Sequence, residues 1–344
     1  MRTEDFSYDL PPELIAQTPI EPRDASRLLV LHRAEGRIEH RQFRELLGYL
    51  RPGDLLVVNE TRVIAARVPA RKAPSGGRVE LLLLARRDAT TWEALVKGRK
   101  VAVGQRLRLG EGEAPTVGGA VVAITPAGGR LIAFDEPIEP YLDRLGRVPL
   151  PPYIHQPLQD PERYQTVYAT ERGSAAAPTA GLHFTPELMR RASALGVEWT
   201  RVLLHIGLDT FRPASEERVE DHVIHSEYCR LSAATAAQIN RAKAEGRRVM
   251  AVGTTAVRTL ETASQRAAAG DAVAPWDGPT DLFIYPGYRF RVVDALLTNF
   301  HLPRSSLLML VSALASRQQI LAAYAAAVRA RYRFYSLGDS MLIL

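Results

Sequence analysis

The fold is decided by the stretch from Val63 to Phe134, which reads VIAARVPA (63–70), RVELLLLA (78–85), TWEALV (91–96), QRLRL (105–109), AVVAIT (120–125) and RLIAF (130–134). These short apolar runs are separated by glycine, proline and charged residues, and none shows the 3.6-residue period of a helix. Six such strands in close succession predict a small closed β-barrel.

Helices and strands alternate on both sides of this stretch, which is the rhythm of βαβ units. The segments that carry the alternation are strands at 27–32, 53–59, 197–206 and 247–253, helices at 42–50, 232–246 and 254–270, and the later runs TDLFIYP (280–286), SSLLMLVSALASR (305–317), QILAAYAAAVRA (319–330) and RFYSL (333–337). The sequence therefore predicts one discontinuous α/β domain, residues 1–60 and 147–344, into which a six-stranded barrel domain, residues 61–146, is inserted.

The composition of the 344 residues is that of a globular protein, with 46% hydrophobic and 24% charged residues. No run approaches the roughly 18 uninterrupted apolar residues of a membrane helix. The acids and prolines of MRTEDFSYDLPPEL (1–14) do not form a signal peptide. Cys229 is the one cysteine, which excludes an internal disulfide and a thiolate metal site. We therefore expect a cytoplasmic chain without membrane contact.

The net charge of +6 is carried almost entirely by arginine. Lysine occurs only at positions 72, 97, 100 and 243, so 40 of the 44 basic residues are arginines. Guanidinium groups bind phosphate in a bidentate way and stack on bases, which favours a nucleic-acid partner. A GC-rich genome produces the same bias, and the charge alone does not decide between the two.

Four polar-rich junctions follow predicted strands, where α/β proteins place their ligand sites. The first is GSAAAPTAGLHF (173–184), in which small residues let backbone amides approach a ligand. Thr179, Gly181 and His183 are its candidate residues. A tightly packed turn in which a carbonyl satisfies His183 is the alternative.

The second junction is HIGLDTFRP (205–213), with His205, Asp209, Thr210 and Arg212 close together. A histidine and a carboxylate at one strand end can perform general acid–base catalysis. An Asp–Arg pair that merely orders the loop is the alternative.

The third junction is VGTTAVRTLE (252–261), which reads as a strand, Gly-Thr-Thr and a helix. The amides of Gly253, Thr254 and Thr255 can hold an anion, with Arg258 one turn further on. The pattern is neither a Walker A loop nor GxGxxG, so it does not indicate nucleoside triphosphate or dinucleotide binding. An ordinary N-cap explains the threonines equally well.

The fourth junction is TDLFIYPGYRFRVVDALLTNFHLP (280–303). It mixes aromatic and arginine residues with Tyr285, Asn299 and His301, a combination that can stack bases and contact phosphates. A half-buried hairpin whose aromatic residues belong to the core is the alternative.

A metal site receives little support. His222, His225 and Glu227 in HVIHSEYC (222–229) resemble a ligand triad, but their spacing matches neither HExxH nor another known zinc pattern. We expect no metal.

Taken together, the motifs are much more specific than any one of them. The sequence is similar to the S-adenosylmethionine:tRNA ribosyltransferase-isomerase family of queuosine biosynthesis through the segments IEPRDASRLLVL (20–31), PGDLLVVNETRVI (52–64), VPLPPYI (148–154), YQTVYA (164–169), GSAAAPTAGLHF, HIGLDTFRP, VGTTAVRTLE, TDLFIYPGY, TNFHLP and YSLGDSMLI (335–343). The resemblance spans almost the whole chain. It implies an α/β domain interrupted by a barrel.

The resemblance also implies a reaction. The ribosyl part of S-adenosylmethionine moves to 7-aminomethyl-7-deazaguanine at the wobble position of tRNA, adenine and methionine leave, and epoxyqueuosine remains. The implied partners are S-adenosylmethionine as co-substrate and the tRNA anticodon stem-loop, with no further cofactor, and the chain is expected to be a monomer. Five positions depart from the family pattern, namely Glu60 in place of Asp, Ala175 in place of Val, Ile224 in place of Met, and Leu337 and Ser340 in the last motif. Leu337 lacks the tyrosine hydroxyl that is usual there, so no role is carried onto it.

This chemistry needs one base and one acid, since the sulfonium acidifies the ribose C5′ protons and departing adenine needs a proton. Our hypothesis places His183, His205 and Asp209 nearest to these proton transfers, with Asp281 and Asp339 as second choices. The methionine carboxylate suits the 253–255 amides with Arg258, and adenine suits the PTAGLHF turn. A non-catalytic RNA-binding protein and a His-dependent metal hydrolase are the alternative functions.

Overall fold

The computed structural model describes residues 1–110, 117–125, 128–207, 216–224 and 226–344. The strands of these residues, numbered along the chain, are β1 (Arg27–His32), β2 (Arg37–Gln42), β3 (Leu55–Asn59), β4 (Thr61–Val63), β5 (Arg67–Ala73), β6 (Arg78–Arg86), β7 (Thr91–Lys97), β8 (Arg106–Leu109), β9 (Gly118–Ile124), β10 (Arg130–Phe134), β11 (Glu171–Ser174), β12 (Glu198–Leu204), β13 (Glu227–Leu231), β14 (Val249–Val252), β15 (Trp276–Thr280), β16 (Ala295–Asn299) and β17 (Ser340–Ile343).

The α-helices are α1 (Glu139–Leu145), α2 (Pro186–Ala194), α3 (Ala233–Ala244), α4 (Thr254–Ser264), α5 (Ser306–Leu314) and α6 (Arg317–Arg329). Side-chain caps start several of them. Thr185 accepts a hydrogen bond from the Leu188 amide at the start of α2, and Ser232 accepts one from the Thr235 amide at the start of α3. No single helix among the described residues is long and apolar enough to cross a membrane, although α5 and α6, bent by 113°, pass that test of length and composition as a pair.

The chain divides into two compact units. The α/β unit comprises residues 1–60, 151–170 and 178–344, and the barrel unit comprises residues 61–150 and 171–177. The predicted boundaries, 61–146 for the barrel, differ from these units in two places. Arg147 forms an isolated bridge with Arg67, the first residue of β5, and β11 pairs in parallel with β4. The segment that contains Arg147 and the segment that contains β11 therefore belong with the barrel unit.

The barrel unit contains a closed barrel with the strand order β10-β7-β6-β5-β8-β9, and each of its strand pairs is antiparallel. Inward side chains alternate with outward ones along each strand, as barrel closure requires. Val68, Leu81 and Trp92 are among the buried residues that fill the interior. The predicted fold class, an α/β protein with a six-stranded barrel, is confirmed.

The α/β unit is built on a mixed sheet with the order β15-β13-β12-β3-β14-β16-β17-β1-β2. The neighbours from β12 to β16 run parallel, and β17 is antiparallel to β16. Apolar residues cover both faces of the sheet, which explains the continuous apolar runs of β3 and β14. Two of the predicted apolar runs do not form strands. The run 280–286 contains no strand after Thr280, and the run 333–337 leads through a turn into β17.

The segment at 42–50, predicted as a helix, is a 3-10 helix from Phe43 to Tyr49. The PTAGLHF turn also contains a 3-10 helix, from Thr179 to His183. These short tight helices place side chains close to the sheet edge without a long helical connection.

Candidate functional site

The site forms at one edge of the mixed sheet. Because β12, β3, β14 and β16 are parallel, their carboxyl ends lie at the same edge. Asn299 at the end of β16 is in register with Ser340, where the antiparallel β17 begins. Ser340 is in turn paired with Leu28 of β1, so the start of β1 lies at this edge as well. Segments from both ends of the chain thus meet the predicted junctions.

Asn59, the last residue of β3, joins two of these junctions. Its side-chain amide donates to the Leu204 carbonyl oxygen at 3.0 Å and to Thr255 Oγ1 at 3.1 Å, and its Oδ1 accepts from the Leu204 amide at 3.1 Å. It therefore fixes the end of β12, which leads to His205, beside the start of α4. The sequence analysis did not single out Asn59, although it lies in the family-like segment PGDLLVVNETRVI.

His183 lies at the same edge and is held from three sides. Its Nδ1 is 2.7 Å from Ser26 Oγ, and its Nε2 is 3.3 Å from Asn299 Nδ2. The Phe43 ring stacks on the imidazole with a centroid separation of 4.9 Å. Three residues from other parts of the sequence thus fix the His183 ring. The PTAGLHF and TNFHLP motifs, which carry His183 and Asn299, therefore meet at this ring.

Burial keeps the His183 ring neutral. Loss of solvent, together with the nearby guanidinium groups of Arg23 and Arg333, lowers its pKa to about 3. Asn299 Nδ2 also faces the carbonyl oxygens of Tyr335 at 3.2 Å and Asp339 at 3.5 Å, which fixes the amide as a donor on that side. Nε2 therefore accepts, and Nδ1 carries the proton that it donates to Ser26 Oγ.

A small pocket, partly open to solvent, lies against His183. Its wall is formed by Pro19, Ile20, Arg23, Arg163, Leu182, His183, Ser336, Leu337 and Gly338. The segments IEPRDAS, TAGLHF and YSLGDS, far apart in the sequence, thus line one cleft. The sequence analysis does not name Arg23 and Arg163 as site residues. The only sequence signal for them is that Arg23 lies within a family-like segment and Arg163 lies directly before one.

Arg23 builds part of this wall by binding backbone oxygens. Its guanidinium donates to the carbonyls of Gln165 at 2.9 Å, Leu182 at 3.2 Å and Glu162 at 3.0 Å. Burial and the neighbouring Arg163 lower the pKa of Arg23 from its ordinary value. The group therefore brings a poorly solvated positive charge close to His183 and fixes the turn that carries it.

Asp339 lies behind the pocket as a backbone clamp. Its two carboxylate oxygens accept hydrogen bonds from the amides of Arg27 and Arg333, each at 2.8 Å. Burial raises the pKa of this carboxyl above its ordinary value. Since both oxygens are engaged, the described geometry gives Asp339 a structural role, and its predicted catalytic role stays a prediction.

Arg258 is buried and engaged by protein groups. It forms an ion pair with Glu227, and its remaining nitrogens donate to the carbonyls of Leu282 at 3.2 Å and Thr280 at 3.3 Å. Glu227 Oε1 accepts from the Gly207 amide at 2.9 Å. This Arg258 cluster therefore anchors the start of the HIGLDTFRP segment, and substrate binding by Arg258 stays a prediction.

The start of α4 offers backbone amides at the site edge. Gly253 precedes the helix with φ of +89°, a conformation that favours glycine, and donates its own amide to Leu297 at 2.8 Å. No side chain caps the helix among the described residues. A Cβ on Gly253 would lie 3.7 Å from the Ala180 Cβ, so Thr254 and Thr255 start the helix beside the PTAGLHF turn.

The remaining predicted residues occupy varied positions. His205 is half-buried and stacks on Tyr228 with centroids 5.8 Å apart. Asp281 is exposed, and Tyr285 packs against Phe283. His301 is buried, with Nε2 2.8 Å from Thr298 Oγ1, and burial lowers its pKa to about 3.

Two further candidates belong to the PTAGLHF turn. Thr179 is half-buried, and a Cβ on Gly181 would lie 2.0 Å from the Tyr168 hydroxyl, so only glycine fits. Asp209, Thr210 and Arg212 lie outside the described residues.

The described residues contain no group of three or more His, Cys, Asp and Glu side chains placed to hold a metal ion. His222 instead contacts Glu216, with Nδ1 and Oε2 2.9 Å apart, and packs edge-on against Phe283. His225 of the suggested triad lies outside the described residues.

Comparisons with known proteins agree with this geometry. The model of a protein family described as "Queuosine biosynthesis protein" matches residues 3–343 of the chain. The chain belongs to this family. Curated S-adenosylmethionine:tRNA ribosyltransferase-isomerases from Moorella thermoacetica and Symbiobacterium thermophilum are each 58% identical to it, over 100% of both chains. A crystal structure of S-adenosylmethionine tRNA ribosyltransferase from Thermotoga maritima is 42% identical, covers 99% of this chain and 100% of that chain, and has a TM-score of 0.57.

The resemblance predicted from the motifs is therefore confirmed, and with it the assignment of the chain to an enzyme family of queuosine biosynthesis. Family membership accounts for the convergence of segments at one sheet edge better than a metal hydrolase or a non-catalytic RNA-binding protein does.

Proposed function

We propose that the chain transfers and isomerises the ribosyl part of S-adenosylmethionine onto 7-aminomethyl-7-deazaguanine at the wobble position of tRNA, with release of adenine and methionine and formation of epoxyqueuosine. Full-length similarity to enzymes of that name supports the reaction. One observation supports a location for this reaction in the chain. The neutral His183 ring forms part of the wall of a pocket that three family-like segments line.

His183 suits the role of base. A ring whose pKa is about 3 carries no proton on Nε2 at neutral pH, so it can accept a proton and cannot supply one. The hydrogen bond from Nδ1 to Ser26 keeps the accepting lone pair on Nε2, and the Asn299 amide, whose Nδ2 lies 3.3 Å from Nε2, must move aside before Nε2 can take a proton from the donor. The positive sulfur of the donor acidifies the adjacent C5′ protons, which compensates for the weak basicity of the imidazole.

The donor's carboxylate fits the start of α4. The amides of Thr254 and Thr255 lack a side-chain cap among the described residues and carry the positive end of the helix dipole. In this proposal Arg258 is a positioning residue, because its guanidinium is paired with Glu227. It holds the segment that leads to Asp209.

The acid that protonates departing adenine must be another group, since His183 is unprotonated. Asp209 keeps this role in the proposal, with His205 as the alternative. The tRNA anticodon stem-loop is the second substrate. The enzyme works as a cytoplasmic monomer and needs no metal or further cofactor.

The test is incubation of the purified chain with S-adenosylmethionine and tRNA that carries the precursor base. Free adenine and the modified nucleoside are measured by chromatography and mass spectrometry. Both products are expected in equal amounts, and neither forms when one reactant is omitted. Unmodified tRNA with no released adenine would refute the function. Full activity after treatment with a chelator is expected, and a loss that added metal restores would refute the metal-free reaction.

A further inference from the structure

The barrel unit carries the whole net charge of the chain. Residues 61–150 and 171–177 contain 16 lysines and arginines and 10 aspartates and glutamates, whereas the rest of the sequence contains 28 of each. Three of the four lysines, at positions 72, 97 and 100, also lie in the barrel unit. The excess of +6 is therefore confined to one unit, whose field attracts a polyanion.

Part of this charge is arranged in a row. Arg71 on β5 is in register with Arg78 on β6 and with Arg108 on β8. Directly opposed side chains have Cβ atoms about 4.5–5.5 Å apart, and like charges in such pairs are destabilising. The neighbours Ala70 and Leu107 are buried, so the arginines occupy outward positions. Three arginines from neighbouring strands thus lie side by side on the outside of the barrel.

The neighbouring loop extends the row. Lys72 Nζ donates to the Arg99 carbonyl oxygen at 3.1 Å, which places the start of the β5–β6 turn beside residues 97–100. Lys97, Arg99 and Lys100 are exposed. These outward basic residues form a basic face that consists of Arg71, Lys72, Arg78, Lys97, Arg99 and Lys100.

Within the described part of the chain, no carboxylate forms an ion pair with any residue of the basic face. Glu80, the cross-strand neighbour of Lys97, lies 3.4 Å from the Arg67 guanidinium. Asp135 is paired with Arg106 at 2.8 Å. These two acids are thus paired with other arginines, and no described carboxylate is paired with the basic face.

We infer that the basic face binds the phosphate backbone of the tRNA substrate. The inference rests on the proposed function, which makes a tRNA the polyanion this chain must hold. Contacts of arginine and lysine with phosphate supply affinity without reading the base sequence, and they release counterions, so binding weakens as salt rises.

The test compares two variants with the same change in charge. The first replaces Arg78, Lys97, Arg99 and Lys100 by glutamine. The control replaces four exposed arginines of the α/β unit by glutamine, namely Arg190, Arg191, Arg241 and Arg329. Adenine release gives kcat and KM for precursor-bearing tRNA and for S-adenosylmethionine, and filter binding gives the Kd for tRNA at several salt concentrations.

The barrel variant is expected to raise the KM and Kd for tRNA at least about tenfold and to flatten the slope of log Kd against log salt by about one for each phosphate contact removed. Its kcat at saturating tRNA, its KM for S-adenosylmethionine and its melting temperature should match the wild type, because no pocket residue changes. Equal weakening in both variants, or an unchanged KM for tRNA in the barrel variant, would overturn the inference.

The single variants Arg78→Gln and Arg78→Lys guard against a folding artefact. Arg78→Gln removes one of three neighbouring like charges, so its melting temperature should equal or exceed that of the wild type while tRNA binding weakens. Arg78→Lys should restore binding, and failure to do so would contradict a phosphate contact there. An inactive wild-type enzyme would refute the proposed function instead, which separates the two failures.

Discussion

The His183 pocket and the Arg258 cluster lie at the same edge of one sheet, yet their polar groups are used differently. Each guanidinium nitrogen of Arg258 has a partner within the protein, and Glu227 links it to the Gly207 backbone. The pocket keeps open space beside His183, and the buried Asn299 Oδ1 has no hydrogen-bond partner among the residues that the structure describes. The Arg258 cluster is therefore complete without a ligand, whereas the region of the His183 pocket has space and an amide oxygen that a ligand can use.

This difference separates residues that a motif cannot separate. Both His183 and Arg258 are polar, buried and part of family-like segments. A buried polar atom without a partner costs free energy, and one that lies beside a pocket can be satisfied by a ligand. A satisfied ion pair indicates a structural link that positions other residues.

The largest expected effect is loss of turnover in His183→Gln. Removal of the base should lower kcat by about 10²- to 10⁴-fold in the adenine-release assay. His301→Gln is the matched control, because His301 is equally buried and neutral but bonds Thr298 outside the pocket wall. Equal losses in the two variants would break the comparison.

Glu227→Gln should act mainly on stability. It leaves the buried Arg258 without its carboxylate and should lower the free energy of unfolding by about 3–5 kcal/mol, measured by urea denaturation. The double variant Glu227→Leu, Arg258→Met should regain most of this loss and retain affinity for S-adenosylmethionine. A double variant that is stable but does not bind the donor would show that Arg258 contacts the substrate.

Acid should destabilise the fold through the neutral histidines. His183 and His301 have pKa values of about 3 in the folded protein against an ordinary value of 6.5, so the unfolded state binds more protons between these limits. Their contribution is complete above pH 6.5 and is lost as the pH falls toward 3. Denaturation at several pH values should show a shallower slope, by up to one proton, in His183→Gln. An unchanged slope would contradict the burial of a neutral ring.

The smallest expected effect concerns Tyr168, which packs beside Gly181 in the turn that carries His183. Its buried hydroxyl lacks a hydrogen-bond partner within the described residues. Tyr168→Phe should therefore change the free energy of unfolding by less than about 1 kcal/mol and leave kcat unchanged. A large loss of turnover would assign the hydroxyl to the reaction and enlarge the site.

The sequence predicted the parts of the fold that periodicity determines. The six barrel strands and helices α3 to α6 follow from their apolar patterns, although α4 ends earlier than the predicted helix at 254–270. The apolar runs at 280–286 and 333–337 show where pattern fails. Their aromatic residues are covered by other segments of the chain, and Tyr335 contacts Tyr153 at a centroid separation of 4.8 Å.

The sequence motifs predicted which segments form the site, but they did not predict which residues hold the His183 ring and the sheet edge in place. The histidine of TAGLHF was found, whereas Ser26, Phe43 and Asn59, which fix the ring and the sheet edge, were missed. Asn59 and Leu204 are 145 positions apart in the sequence, and Ser26 and His183 are 157 positions apart. No local pattern encodes such distances, and only the resemblance of whole segments pointed toward them.

The placement of β17 between β16 and β1 governs the order in which the molecule can be assembled. The hairpin of β1 and β2 joins the rest of the sheet only through β17, and its Arg27 contacts Asp339 from 312 positions away. At about 5–20 residues per second, a ribosome needs roughly 15–60 s to bridge that separation. During this interval the first hairpin is synthesised but cannot dock, so its β1 edge must stay shielded from other nascent chains until β17 emerges.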